Sequence, residues 1–121
     1  MVKAGEIAVV KISAKLANGY HTNSNTPSDE YMIPLRLTWE AAPFAVMGVE
    51  YPKGNLEKYE FAEKPLSVYT GTFELSTRLS VPASLPRGAH TLPGKLRYQA
   101  CTRTACYPPK TVAVAVPVEV R

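Results

Sequence analysis

The chain has 121 residues and a net charge of +4, set by 14 basic and 10 acidic side chains, and 45% of its residues are apolar. That is enough for one core and not for two, so residues 1–121 are expected to form a single domain. The basic residues are scattered, with no basic run and no basic stretch interleaved with aromatics, which argues against nucleic acid as a partner, and no apolar segment approaches the ~20 residues of a membrane-spanning helix, so a soluble monomer is expected.

Reading from the start, Met1 is followed by Val2-Lys3-Ala4-Gly5-Glu6, with no basic n-region, apolar h-region or small-residue cleavage site. A cytosolic protein fits this beginning, and so does a mature exported domain whose leader has been removed. Beyond it, period-two alternation dominates and no helical period is sustained. Val10, Ile12, Ala14 and Leu16 share one side of a first strand that ends at the turn signal Asn18-Gly19. His21 to Glu30 is polar throughout and reads as a long loop, of the kind that often carries function. Ile33, Leu35, Leu37 and Trp39 alternate in a second strand, with Pro34 marking an edge or a strand start. The apolar run Phe44 to Val49 stops at the turn Tyr51-Pro52-Lys53-Gly54-Asn55. Phe73, Leu75, Thr77, Leu79 and Val81 define a long strand closed by Pro82 and Pro86-Arg87-Gly88. Leu96 and Tyr98 mark another, and Val112, Val114, Val116, Val118 and Val120 the last, where Pro117 implies an edge or a bulge. About seven strands or more at this spacing, with 11 prolines and 7 glycines, predict an all-β, immunoglobulin-like β-sandwich.

The chemistry concentrates on the only two cysteines, Cys101 and Cys106. A bridge closing about six residues is worth only ~2 kcal/mol in the chain-entropy view, little for a structural staple. Opposed residues on antiparallel strands lie within disulfide reach, so the pair can close across a hairpin mouth and open again without unfolding the domain. Leu96 and Tyr98 face inward at even positions, so strict alternation places Cys101 on the polar face. Arg103 within the loop, with Arg97 and Lys110 nearby in sequence, favours a thiolate and exchange reactivity. A small structural disulfide fits the same spacing, and both readings stand at this point. A cycling disulfide points to a compartment outside the cytosol.

Other chemistries find less support. Two cysteines with the isolated His21 and His90 do not make the paired short-spacing pattern of a zinc site. No nucleophile elbow G-x-S-x-G and no glycine-rich phosphate loop is present. His21 beside Tyr20 reads first as an exposed loop histidine, and Asp29-Glu30 as solvated charge. Glu60 and Glu63 gain interest only if their loop lies over the cysteines, where a carboxylate can shuttle a thiol proton.

The stretches Gly19-Tyr20-His21-Thr22-Asn23-Ser24-Asn25, Tyr51-Pro52-Lys53 and Pro65-Leu66-Ser67-Val68-Tyr69-Thr70-Gly71 carry a resemblance. So, above all, do Tyr98-Gln99-Ala100-Cys101 and Cys106-Tyr107-Pro108-Pro109. From about Gly5 to Val120 the chain resembles the N-terminal domain of the thiol:disulfide interchange protein DsbD. The resemblance implies a periplasmic oxidoreductase domain that relays electrons without a cofactor, through the Cys101/Cys106 pair. The electrons would pass from a thioredoxin-like donor to oxidised thiol proteins such as a disulfide isomerase, and any tie to a membrane would run through a downstream domain. It further implies that Cys106 forms the mixed disulfide and Cys101 resolves it, and that a cap loop over Tyr59 to Leu66, with Glu60, Phe61, Glu63 and Pro65, covers the pair. Tyr20, His21, Tyr98, Arg103 and Tyr107 are then expected near the site. Two departures stand out: the loop between the cysteines is one residue shorter than in the best-known member, and the cap lacks that member's acidic pair followed by aromatics. The alternative expectation, from another class, is a non-catalytic binding module whose disulfide pins a hairpin.

Overall fold

A computed structural model describes residues 2–28 and 32–121, so Asp29 and Glu30 lie outside the described residues. Ten strands and no helix occur among them, and hence no helix long and apolar enough to cross a membrane. β1 (Ile7–Lys15), β4 (Ala45–Glu50) and β7 (Thr72–Ser80) form one antiparallel sheet in the order β1-β7-β4, and β3 (Arg36–Trp39), β8 (Gly88–Tyr98) and β10 (Lys110–Val120) form a second in the order β10-β8-β3.

These two sheets pack face to face as the alternation requires. Ala8, Val10 and Leu79 from the first sheet meet Leu92, Val118 and Val120 from the second. A second cluster, around Leu35, Leu37, Leu75 and Leu96, extends to Tyr69. Between the sheets Trp39 Nε1 donates to the hydroxyl of the fully buried Thr77 at 2.9 Å, which removes the cost of enclosing that polar group. β10 is an edge strand, which accommodates Pro117, since the ring's missing N–H then leaves no ladder partner unsatisfied.

A third sheet, ordered β5-β6-β2-β9, is built from β2 (His21–Asn23), β5 (Asn55–Glu57), β6 (Leu66–Tyr69) and β9 (Ala100–Cys101). It corrects the reading of His21 to Glu30 as a loop throughout. His21, Thr22, Asn23 and Ser24 are all buried, and the first three form a strand paired with β6 on one side and β9 on the other. Hydropathy does not reveal such a strand, because its residues are polar and it lies between neighbours that shield both edges.

Candidate functional site

The turn Ala17–Tyr20 delivers β2 to the site. Tyr20 N–H donates to the Ala17 carbonyl at 3.1 Å, and Gly19 takes φ +87°, the left-handed conformation that a type II turn demands at its third residue. At the other end of β2, Ser24 N–H donates to the Ser67 carbonyl, and the two serine hydroxyls hydrogen-bond at 2.8 Å. The Tyr69 hydroxyl then reaches Asn25 Oδ1 at 2.8 Å and the Pro52 carbonyl at 2.7 Å, tying the loop after β2 to the turn before β5.

The cysteines face each other across a very small hairpin. Tyr107 N–H donates to the Ala100 carbonyl at 2.9 Å and Thr102 N–H to the Ala105 carbonyl at 2.7 Å. These bonds flank Cys101 and Cys106 and make them a non-hydrogen-bonded antiparallel pair, the kind in which backbones approach most closely. Their Cα atoms are 4.0 Å apart and the sulfurs are bonded. The Thr102 hydroxyl accepts from the N–H groups of Thr104 and Ala105, closing a tip that carries Arg103 as its sole charge.

Within this pair the two cysteines differ. Cys101 is 0% exposed, whereas Cys106 is exposed. This overturns the expectation that Cys101 sits on the polar face. Side-chain parity persists only along one ladder, and the chain leaves the β8 ladder at Gln99 to join β2, so Cys101 turns inward opposite His21.

His21 is likewise no exposed loop histidine. It is 2% exposed and lies in register with Cys101, and therefore in one cross-strand row with Cys101 and Cys106. Its ring stacks on Tyr59 with centroids 4.0 Å apart, and Tyr59 in turn stacks against Phe61 at 5.7 Å. Burial lowers the imidazole pKa from its ordinary value, outweighing the opposing pull of Glu57. Burial raises the Tyr59 phenol, Glu57 raises it further, and Arg103 acts in the opposite sense. His21 Nε2 is buried without a hydrogen-bond partner among the described residues. A cavity of about 280 Å³ lies alongside, lined by Tyr20, His21, Tyr59 and Arg103 among others.

The loop that begins at Tyr59 thus packs on His21 through its aromatic residues. Glu60, Phe61, Glu63 and Pro65 are exposed, and Phe61 lies 6.4 Å from the His21 ring. Tyr20 and Tyr107 have ring centroids 6.2 Å apart, and with Tyr98, Pro108 and Lys110 they line a second cavity of about 340 Å³. Tyr59, the first residue of the expected loop, makes the closest stack on His21. Two residues absent from the expected set, Gln99 and Asn23, complete the arrangement. Gln99 donates to the Tyr107 carbonyl at 3.2 Å, and Asn23 Nδ2 donates to Gln99 Oε1 at 3.4 Å and to the Ile33 carbonyl at 3.0 Å. The Tyr98-Gln99 dipeptide was the available signal for Gln99, and nothing in hydropathy marks Asn23. No group of three or more metal-ligating side chains occurs among the described residues.

A family model described as the N-terminal region of the thiol:disulfide interchange protein DsbD matches residues 2–117. Among solved structures, the reduced N-terminal domain of DsbD from Neisseria meningitidis is similar, with a TM-score of 0.53 at 19% identity, covering 90% of this chain and 76% of that one. At that identity the likeness bears on the fold, which is the same immunoglobulin-like β architecture. No curated protein sequence matches the chain.

Proposed function

The chain belongs to the family of DsbD N-terminal domains, and from that premise we propose that it relays electrons between thiol proteins through Cys101 and Cys106. In the reduced domain the Cys106 thiolate attacks one sulfur of a partner disulfide, forming a mixed disulfide and releasing the first partner thiolate. The Cys101 thiolate then attacks Cys106 Sγ, the Cys101–Cys106 bond forms and the second partner thiolate leaves. Two electrons pass from the dithiol to the partner, so the domain needs no further cofactor. A thioredoxin-like donor reverses these steps to restore the dithiol. The acceptors are oxidised periplasmic thiol proteins of the disulfide isomerase kind.

The observation that carries this reading is the asymmetry of the pair. The exposed Cys106 offers a sulfur to a partner, while the enclosed Cys101 reacts only with its neighbour, which is the division of labour between attacking and resolving thiols. The backbone hydrogen bonds that close the hairpin, from Thr102 N–H to the Ala105 carbonyl and from Tyr107 N–H to the Ala100 carbonyl, do not involve the sulfurs and so give the pair a frame that does not depend on the disulfide.

Two measurements test it. Equilibration against glutathione or dithiothreitol mixtures should give a reduction potential among those of thioredoxin-like dithiols, between about −270 and −120 mV. A bridge that resists reduction well below that range points instead to a structural disulfide. Cys101→Ser should trap a mixed disulfide with an oxidised thiol protein, and Cys106→Ser should not; equal exchange by the Cys106→Ser domain and the parent overturns the assigned roles.

A further inference from the structure

We propose that His21 is the proton acceptor for Cys101, the group that converts the enclosed resolving thiol into a thiolate at the moment the mixed disulfide is broken. The inference rests on the relay reading and assigns within it a step that the two sulfurs alone do not explain. Cys101 is fully buried. Enclosure penalises the charged form of a thiol and raises its pKa, so an unaided Cys101 would be a sluggish nucleophile.

The structure supplies a base in the right place. His21 is the residue directly opposite Cys101 on β2. Opposed residues have Cβ atoms ~4.5 to 5.5 Å apart with side chains on the same face, so a Cys101 thiol freed from its disulfide comes within reach of the imidazole by side-chain rotation. His21 Nε2 is buried and finds no hydrogen-bond partner among the described residues. An unsatisfied nitrogen at 2% exposure costs stability, and a thiol proton satisfies it.

The surroundings keep the ring ready to accept. Tyr59 covers one face, Glu57 on β5 and Arg103 at the hairpin tip are the charged groups acting on the His21–Tyr59 pair, and Cys101 is the thiol across the ladder. Burial lowers the imidazole pKa, so the ring is neutral at neutral pH. In the tautomer with its proton on Nδ1, Nε2 presents a lone pair.

The step balances. The Cys101 S–H proton moves to Nε2, the Cys101 thiolate forms the S–S bond to Cys106, and the partner sulfur departs with the electron pair of the mixed disulfide. The imidazolium then returns its proton to that departing thiolate or to water in the 280 Å³ cavity that His21 lines.

A two-phase stopped-flow experiment tests this on the intact domain. One equivalent of 5,5′-dithiobis(2-nitrobenzoate) added to the reduced protein releases thionitrobenzoate once when Cys106 attacks and again when Cys101 resolves. In the parent the second-phase rate should be nearly level between about pH 6.5 and pH 8, because a neutral imidazole is present throughout. His21→Gln should slow the second phase relative to the first by at least about tenfold at neutral pH. It should also restore a rate that climbs about tenfold per pH unit, following the thiolate fraction. His21→Phe, which keeps the stack on Tyr59, should behave like His21→Gln; a purely structural histidine would leave the profile unmoved in that variant. Equal second phases and unchanged pH profiles in the variants overturn the proposal while leaving the relay intact. Absence of any second release in the parent overturns the relay itself. If neither variant folds, the parent decides: a second phase rising tenfold per pH unit across that range excludes an assisting base.

Discussion

The side-chain amide of Gln99 donates to the backbone carbonyl of Tyr107 at 3.2 Å, clamping the residue that follows the exposed cysteine to the segment that precedes the buried one. Because Gln99 Oε1 also accepts from Asn23, one side chain links the β2 strand to the outgoing arm of the hairpin. In the oxidised domain the disulfide duplicates that clamp; in the reduced domain it does not. Gln99→Ala should therefore cost about 1 kcal/mol when oxidised and more when reduced. Thermal melts of parent and variant in both redox states measure the difference, and an equal loss in the two states removes Gln99 from the positioning of Cys106.

Opening the disulfide should leave the domain folded. Neither of the two core clusters includes Cys101, and the bridge spans a sequence separation of 5. For a loop that short the chain-entropy contribution is ~2 kcal/mol, or a drop in Tm of about 10 °C for a domain of this size. Calorimetry with and without a strong reductant checks it. Loss of a cooperative transition on reduction would mean that the hairpin is a foundation of the fold rather than a working part mounted on it.

How far the sequence could be read depended on which ladder a residue joins. β1, β7 and β10 follow their period-two patterns, since each runs along a long unbroken ladder, β1 with β7 and β10 with β8, and buries one face: Ala8 and Val10, then Leu75, Thr77 and Leu79, then Val118 and Val120. The site sheet was illegible for the opposite reason. Its four strands are two to four residues long, too short to show a period. In β6 Leu66, Val68 and Tyr69 are all buried, while β2 buries histidine, threonine and asparagine. The parity argument at Cys101 failed where the ladder changes, at Gln99. The cysteine spacing and the hairpin mouth were legible because they depend on a local turn alone.

His21 should make stability depend on pH. Burial holds its folded-state pKa below the ordinary 6.5. As pH falls, the unfolded chain therefore takes up this proton first. Stability from the neutral, buried ring is fully present above about pH 6.5 and is lost as pH falls from there through the folded-state pKa. Denaturant titrations at neutral and mildly acidic pH should show the parent losing more stability on acidification than His21→Phe. Parallel losses in the two proteins would show that the ring protonates as readily in the folded state as in the unfolded one.

Removing the stack should expose the base. Tyr59 lies at 4.0 Å from His21 and Phe61 at 6.4 Å, so Tyr59→Ala should raise the imidazole pKa toward its ordinary value. Phe61→Ala should raise it less. Histidine proton resonances followed through a pH titration give the ordering directly, and an equal effect of the two variants would mean that the Tyr59–Phe61 loop shields the ring as one body.

The third sheet should be unusually sensitive at Gly54. A Cβ added there would overlap the Ser67 hydroxyl and come within 2.9 Å of Ser24 Cβ. Those two serines are hydrogen-bonded to each other at 2.8 Å, and Ser24 N–H is held by the Ser67 carbonyl. A single methyl group must therefore either break the hydroxyl pair or push β6 away from the chain leaving β2. Since β2 is the strand that carries His21 to Cys101, the second outcome displaces the imidazole as well. Gly54→Ala should cost about 1 to 3 kcal/mol and slow resolution by Cys101 more than attack by Cys106. Gly48→Ala, where an added Cβ meets nothing within 4 Å, is the matched control and should alter neither phase. Comparable slowing of both phases in Gly54→Ala would show that β2 and the cysteine hairpin move together, and that the register between His21 and Cys101 survives the strain.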